Sequence, residues 1–264
     1  MKWRSFILVA CVGSLLIALP TQVSRIQVIA QRPPTQLPQV QLQAEAQAIT
    51  VKILADGFLG SGVIIYQKDQ EYWVLTNDHV VQAKIPLVNA QTPSAKIQTA
   101  DGEVHTAILM WSATSLGKDL AILKFSSPKL YVVAQLGDNP SVGEAVFAAG
   151  FPFPLEESAQ LEFRLKQGQV SQILEKPLEG GYQIGYTNDV EKGMSGGPLL
   201  NGRGEVVSIN GLHAHPLWGD PYLFEDGSQP DDLQRETMSQ YSWGIPIETV
   251  LKLQQLRLVA AEAR

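Results

Sequence analysis

From residue 49 onward, apolar residues fall in short runs, many of them alternating with polar residues and separated by Gly, Asp, Asn or Pro. Alternation places every second side chain on one face of a strand, so this pattern predicts strands and not helices. It predicts strands over 49–54, 60–66, 72–76, 95–99, 103–110 and 119–125. After a break at Gly137-Asp138-Asn139-Pro140 it predicts a second group over 144–149, 164–174, 182–187, 198–200, 204–210 and 241–245. Many short strands with regular turn signals are the mark of an all-β barrel or sandwich. No repeat of the 20–50-residue kind is visible.

Three segments depart from the strand pattern. Residues 247–264 read as a C-terminal helix, with Ile247, Val250, Leu251 and Leu258 on an apolar face and Glu248 four residues before Lys252. Residues 212–240 are polar and acidic with no sustained alternation, and a loop of that length inside a compact domain is usually functional. Residues 31–48, rich in Gln and Pro, read as a flexible linker.

Ahead of the linker, residues 1–30 carry Lys2 and Arg4, then a nearly unbroken apolar run from Phe6 to Leu19, then Pro20. That is the layout of a secretory signal peptide, and the run is short for a membrane span, which needs about 20 residues. Val28-Ile29-Ala30 offers a cleavage site; the alternative is an uncleaved N-terminal anchor, the only membrane contact foreseen. Leu8-Val9-Ala10-Cys11 superficially resembles a lipoprotein box, but the apolar run continues well past Cys11. The expected location is therefore periplasmic or extracellular.

Composition narrows the chemistry. The net charge is −6 and no block of Lys and Arg lies outside the extreme N-terminus, so no nucleic-acid partner is expected. Cys11 is the only cysteine, which removes a thiol nucleophile, a zinc–cysteine site and an internal disulfide from the mature domain. An exported domain without disulfides relies on its apolar core, which suits a bacterial envelope protein.

Three short motifs carry the chemistry. Thr76-Asn77-Asp78-His79 ends a strand in a polar turn holding a histidine, and Lys118-Asp119-Leu120-Ala121 puts an aspartate at the mouth of a buried strand. Gly193-Met194-Ser195-Gly196-Gly197-Pro198 puts a serine in a Gly-rich turn before another strand. A serine hydroxyl needs an adjacent base to act as a nucleophile. Histidine titrates near neutrality and can take that proton and return it to a leaving amine. A buried aspartate fixes the imidazole tautomer. His79, Asp119 and Ser195 are the expected triad, with the N–H groups of Gly193 and Ser195 as the oxyanion hole. The chain order His, Asp, Ser differs from that of the α/β-hydrolases, which weighs against an esterase of that kind.

With these residues the sequence resembles the trypsin-like serine peptidases over about residues 49–255, most closely their bacterial HtrA/Deg-like branch. Gly60-Ser61-Gly62-Val63, Val142-Gly143-Glu144 through Gly150-Phe151-Pro152, Gly196 through Asn210, and Gly244-Ile245-Pro246 carry the likeness. The resemblance implies an all-β fold of two packed six-stranded antiparallel barrels, about 49–138 and 139–246, followed by the helix 247–264, with the triad in the cleft between the barrels. It implies an endopeptidase acting on protein or peptide substrates, with no cofactor and no metal. No Ile-Val-Gly-Gly activation sequence occurs, and Met194 stands where zymogen-activated enzymes carry Asp and HtrA enzymes usually carry Asn. A barrel that captures unfolded peptides with little cleavage is the alternative reading.

By analogy with the family, Asp189, six residues before Ser195, lines a pocket selecting Arg or Lys, or else Val190 gives that pocket an apolar wall. Ser208-Ile209-Asn210 is expected to pair with the substrate backbone as an edge strand. The 212–240 segment is expected to act as a lid or specificity element, packed down by Trp218, Tyr222 and Phe224. His213 and His215 make a weak metal signal without a third ligand. Glu225, Asp226, Asp231 and Asp232 lack a calcium-loop pattern and read as solvated acids.

Overall fold

The computed structural model describes residues 36–55, 58–82, 94–153, 162–214 and 221–253. Residues 1–30, with the signal segment, lie outside that range, as do Trp218, His215 and the expected helix beyond residue 253. Among the described residues no helix is long and apolar enough to cross a membrane.

The first barrel consists of β1 (Thr50–Ala55), β2 (Phe58–Lys68), β3 (Glu71–Thr76), β4 (Ser94–Gln98), β5 (Val104–Ser112) and β6 (Ala121–Ser126). The second consists of β7 (Ala145–Gly150), β8 (Arg164–Ile173), β9 (Ile184–Tyr186), β10 (Pro198–Asn201), β11 (Val206–Leu212) and β12 (Ser242–Pro246). Both sheets close on themselves, in the orders β1-β2-β3-β6-β5-β4 and β7-β8-β9-β12-β11-β10. The second order is the first with every strand moved six places along the chain. Each predicted strand is present, with ends shifted by a few residues.

Strand faces are sorted by what they pack against. In β3, Tyr72 and Val74 point into the first barrel beside Val51, Ile53 and Leu123. Leu75, on the opposite face, joins an apolar cluster drawn from both barrels. In β7, Val146 and Ala148 fill the second barrel, and Ala149 faces the shared cluster. Strands at the barrel–barrel junction are thus buried on both faces. This explains why Gly62-Val63-Ile64-Ile65 reads as a continuous apolar run and not an alternating one.

The linker expectation is corrected. Residues Gln39–Ile49 form a helix, α1, whose Leu42, Ala46 and Ile49 are buried in the shared cluster. These three lie at i, i+4 and i+7, one helical face, and the Ala, Leu and Gln between Pro38 and Thr50 are good helix formers. Leu37 N–H also donates to Gly202 O at 2.8 Å, so the folded domain begins ahead of residue 49. At the other end residues 247–253 are helical, with Ile247, Val250 and Leu253 buried.

The described parts of the 212–240 segment, 212–214 and 221–240, carry more structure than the sequence suggests. It contains a helix over Asp232–Met238, which follows a five-residue helix at Asp78–Gln82 in the first barrel; these are α3 and α2. Asp231 caps α3, accepting from Gln234 N–H while the Gln234 side chain accepts the Asp231 N–H. Tyr222 is buried and donates to Met238 O at 3.3 Å, as expected of an anchoring residue. Residues 223–225 pair with the β8–β9 connection through Glu179 N–H to Leu223 O at 2.7 Å and Glu225 N–H to Pro177 O at 3.0 Å.

Candidate active site

Strand register brings the first two motifs together. Thr76, the last residue of β3, pairs with Ala121, the first of β6, so the chain just after β3 lies beside the chain just before β6. Asn77 locks the two by donating from Nδ2 to Asp119 O at 2.9 Å. His79 then presents two donors to one carboxylate: its backbone N–H reaches Asp119 Oδ1 at 2.8 Å and its ring Nδ1–H reaches Oδ2 at 2.5 Å. The Tyr182 hydroxyl also donates to Oδ2.

The Asp119 carboxylate is mostly buried, with 17% of the side chain exposed. Burial pushes its pKa up. The hydrogen bond and the charge of His79, the Tyr182 hydroxyl and the His79 N–H together outweigh burial and hold it below the usual carboxylate value. Asp119 is therefore an anion in the folded protein near neutral pH.

The serine turn arrives from the second barrel. Pro198 pairs with Ile209, and Gly196 N–H donates to Asn210 O at 2.9 Å, which sets Ser195 beside the end of β11. Gly196 has φ of +83°, and a Cβ there would lie 2.2 Å from both Ser61 O and Thr76 Oγ1. Only glycine lets the serine turn press this closely against the strand that leads to His79. Ser61, fully buried, ties the same turn to the first barrel. Its N–H donates to Ser195 O at 2.9 Å, and its hydroxyl donates to Gly193 O at 2.8 Å while accepting Phe151 N–H at 2.9 Å. The N–H groups of Gly193 and Ser195 take no hydrogen-bond partner among the described residues.

Ser195 Oγ donates to Gly211 O at 3.2 Å, and no hydrogen bond joins it to His79. The β11–β12 register slips between Asn210 and Leu212, so Gly211 is skipped in the ladder and its carbonyl is free to face the serine.

Other expected residues are placed differently. Ser208, Ile209 and Asn210 are fully buried and are paired on one side with β10 or its preceding turn and on the other with β12. Ser208 donates to Ile245 O, and Asn210 donates to Ala149 O and Pro198 O. With both edges taken, they cannot add a substrate strand; the first β11 residue off the ladder is Gly211. The Asp189 side chain is 83% exposed and is ion-paired with Lys166 at 3.1 Å, so it faces solvent and not a pocket. The count back from Ser195 assumed a loop path this chain does not follow. Val190 is buried in the second barrel, its N–H donating to Ser242 Oγ at 3.3 Å.

Three of the four acids singled out in the long segment are absorbed structurally: Glu225 pairs with Lys118, Asp226 with Lys176, and Asp231 caps α3, while Asp232 is exposed in its first turn. His213 Nδ1 lies 3.2 Å from Ala214 O. A cavity of about 730 Å³ opens beside His79 and Asp119, lined also by Asp78, Thr114, Lys118, Glu179 and Glu225. Sequence reasoning missed Tyr182 and the tie made by Ser61. Ser61 had a signal in its two flanking glycines; Tyr182 had none.

Two six-stranded antiparallel barrels, with a histidine–aspartate pair on one and a glycine-bounded serine on the other, define a trypsin-like architecture. The family described as trypsin-like peptidase domain matches residues 60–209, and the chain belongs to that family. Among its relatives, the serine protease Do-like HtrA of Bacillus subtilis (strain 168) is 32% identical over 163 residues, covering 58% of this chain and 33% of that protein. The periplasmic pH-dependent serine endoprotease DegQ of Escherichia coli (strain K12) is 33% identical over 154 residues, covering 58% of this chain and 30% of that protein. Both alignments therefore span about a third of the relative. The crystal structure of the serine endoprotease from Yersinia pestis superposes with a TM-score of 0.58 at 24% identity, covering 84% of this chain and 66% of that one.

Proposed function

We propose that the protein is an exported serine endopeptidase in which His79, Asp119 and Ser195 form the triad. The observation that carries this reading is the Asp119 carboxylate, held by both the backbone N–H and the ring of His79 where the serine turn docks. Before attack, Ser195 Oγ turns from Gly211 O to His79. As Oγ bonds to the substrate carbonyl carbon, its proton passes to His79 Nε2, and Asp119 stabilises the imidazolium formed. The carbonyl oxygen, now an anion, accepts the N–H groups of Gly193 and Ser195. Collapse breaks the C–N bond, with the proton of His79 going to the leaving amine. Water, deprotonated by His79, then releases the acyl group from Ser195.

The substrates are peptide bonds in protein chains. The exposure of Asp189 and its pairing with Lys166 support a primary pocket without that charge. Export is supported by the Lys2 and Arg4 start with its apolar run, and by a relative named as periplasmic. The hydrogen bond from Ser195 to Gly211 O favours a second reading, a barrel that holds peptides and cleaves slowly. Casein hydrolysis separates the two: wild type cleaves, while Ser195→Ala and His79→Ala lose nearly all activity. Equal hydrolysis by wild type and Ser195→Ala would overturn the triad. Peptide binding without cleavage by wild type would establish the second reading.

A further inference from the structure

We infer that Tyr182 is a positioning residue for catalysis: its hydroxyl fixes the Asp119 carboxylate against His79 while its ring packs on the strand segment that holds Ser195. This rests on the triad reading above.

Tyr182 is 3% exposed and sits in the apolar cluster shared by the two barrels. Its hydroxyl donates to Asp119 Oδ2, the same oxygen that takes the Nδ1–H of His79. Among the described residues the carboxylate thus has three donors from two residues, and the phenol is the one that does not belong to His79. A carboxylate held by His79 alone can turn with it. The third donor, from the opposite barrel, fixes its plane.

The turn that presents Tyr182 is itself tied to Asp119. Asp119 N–H donates to Gly180 O at 2.9 Å, and Leu178 N–H donates to Tyr182 O at 2.8 Å. On its other side the ring occupies the space a side chain at 211 would need: a Cβ on Gly211 would lie 2.1 Å from Tyr182 Cε1 and 2.5 Å from its hydroxyl. Gly211 is the residue whose carbonyl holds Ser195 Oγ. One side chain therefore touches both the acid of the triad and the backbone partner of the nucleophile.

The groups facing this contact are few. His79 and Asp119 share the hydrogen bonds; Tyr186 on β9 adds a second buried phenol that donates to Asn210 Oδ1 at 2.9 Å. Lys118 with Glu225, Asp78 and Glu179 line the cavity outside. Burial, then the Asp119 charge and hydrogen bond, push the Tyr182 phenol well above its ordinary pKa, so it stays a donor wherever the enzyme works.

A donor on Oδ2 also withdraws negative charge from the atom that stabilises the imidazolium. Removing it leaves more charge facing the ring, favours the protonated ring and moves the acid limb of the pH–rate profile to higher pH. The test is kcat and KM against pH on one peptide substrate for wild type and Tyr182→Phe, with Ser195→Ala as the control. The expected result is a kcat about tenfold to a hundredfold lower, well short of the loss from removing Asp119 itself, with little change in KM. The acid limb should move up by about half a pH unit. Replacing Tyr182 by 3-fluorotyrosine, a stronger donor of nearly the same shape, should move the limb down, and it decides the matter if the Phe variant does not fold.

An unshifted acid limb in the folded variants overturns the inference and leaves Tyr182 a packing residue. An active Ser195→Ala control overturns the triad reading, and this inference with it, so the two failures are distinguishable.

Discussion

Asp119 combines burial with charge at the centre of the site. Its folded pKa lies below its unfolded value, so the hydrogen bonds that hold the carboxylate contribute stability that is complete above the ordinary carboxylate range and is lost as pH falls from that range through the lower folded pKa. In urea unfolding, Asp119→Asn should therefore be less stable than wild type near neutrality, and the difference should shrink on acidification below about pH 4. A gap that widens in acid would contradict the sign. In kinetics the same variant should lose about 10⁴-fold in kcat, because an amide no longer holds the correct imidazole tautomer. Since Asp119 stays ionised, a histidine base is the group whose protonation should switch wild-type activity off in acid, and an activity optimum below about pH 5 would exclude it. Asp189 gives the opposite expectation. It faces solvent, so Asp189→Asn should cleave substrates with Arg before the scissile bond no differently from wild type. A selective loss on such substrates would restore it to the pocket. His79, Asp119 and Ser195 were legible as candidates because each lies in a turn whose neighbours announce it. Asp189 was misjudged because an offset in sequence is not a position in space. Tyr182 was invisible because nothing local separates it from any core tyrosine.

At the scale of elements, α1 is the clearest discrepancy. Its Gln-rich composition suggests a linker, yet Leu42, Ala46 and Ile49 fall on one face and are buried. Composition averages over positions, whereas burial depends on their period. Leu42→Ala should lower stability by about 2–5 kcal/mol, the cost of a cavity in a packed core, measured by denaturant unfolding. A change within about 0.5 kcal/mol would return α1 to the status of a surface appendage. The strands were legible because turn residues punctuate them. Their ladders were not: the slip at Gly211, which interrupts the β11–β12 pairing and turns a carbonyl toward Ser195, depends on pairing that no single strand's sequence reveals. Within 212–240 the same holds: Tyr222 and Met238 are core residues, so deleting the span that holds them would remove part of the fold.

In the whole molecule, two barrels of identical strand order meet along an apolar seam, and the site lies where their turns converge. The break at 137–140 marked the division into two groups, while the duplication of topology left no repeat in the residues, because many side-chain sets can fill the same barrel. In the proposed mechanism, packing across the seam lets a histidine–aspartate pair on one barrel serve a serine on the other. That claim is tested most directly by a fluorophosphonate probe with mass-spectrometric mapping of the labelled residue. Wild type should be labelled stoichiometrically on Ser195 Oγ, much more slowly in His79→Ala, and not at all in Ser195→Ala. Label on another residue, or equal labelling of Ser195 without His79, would contradict the account.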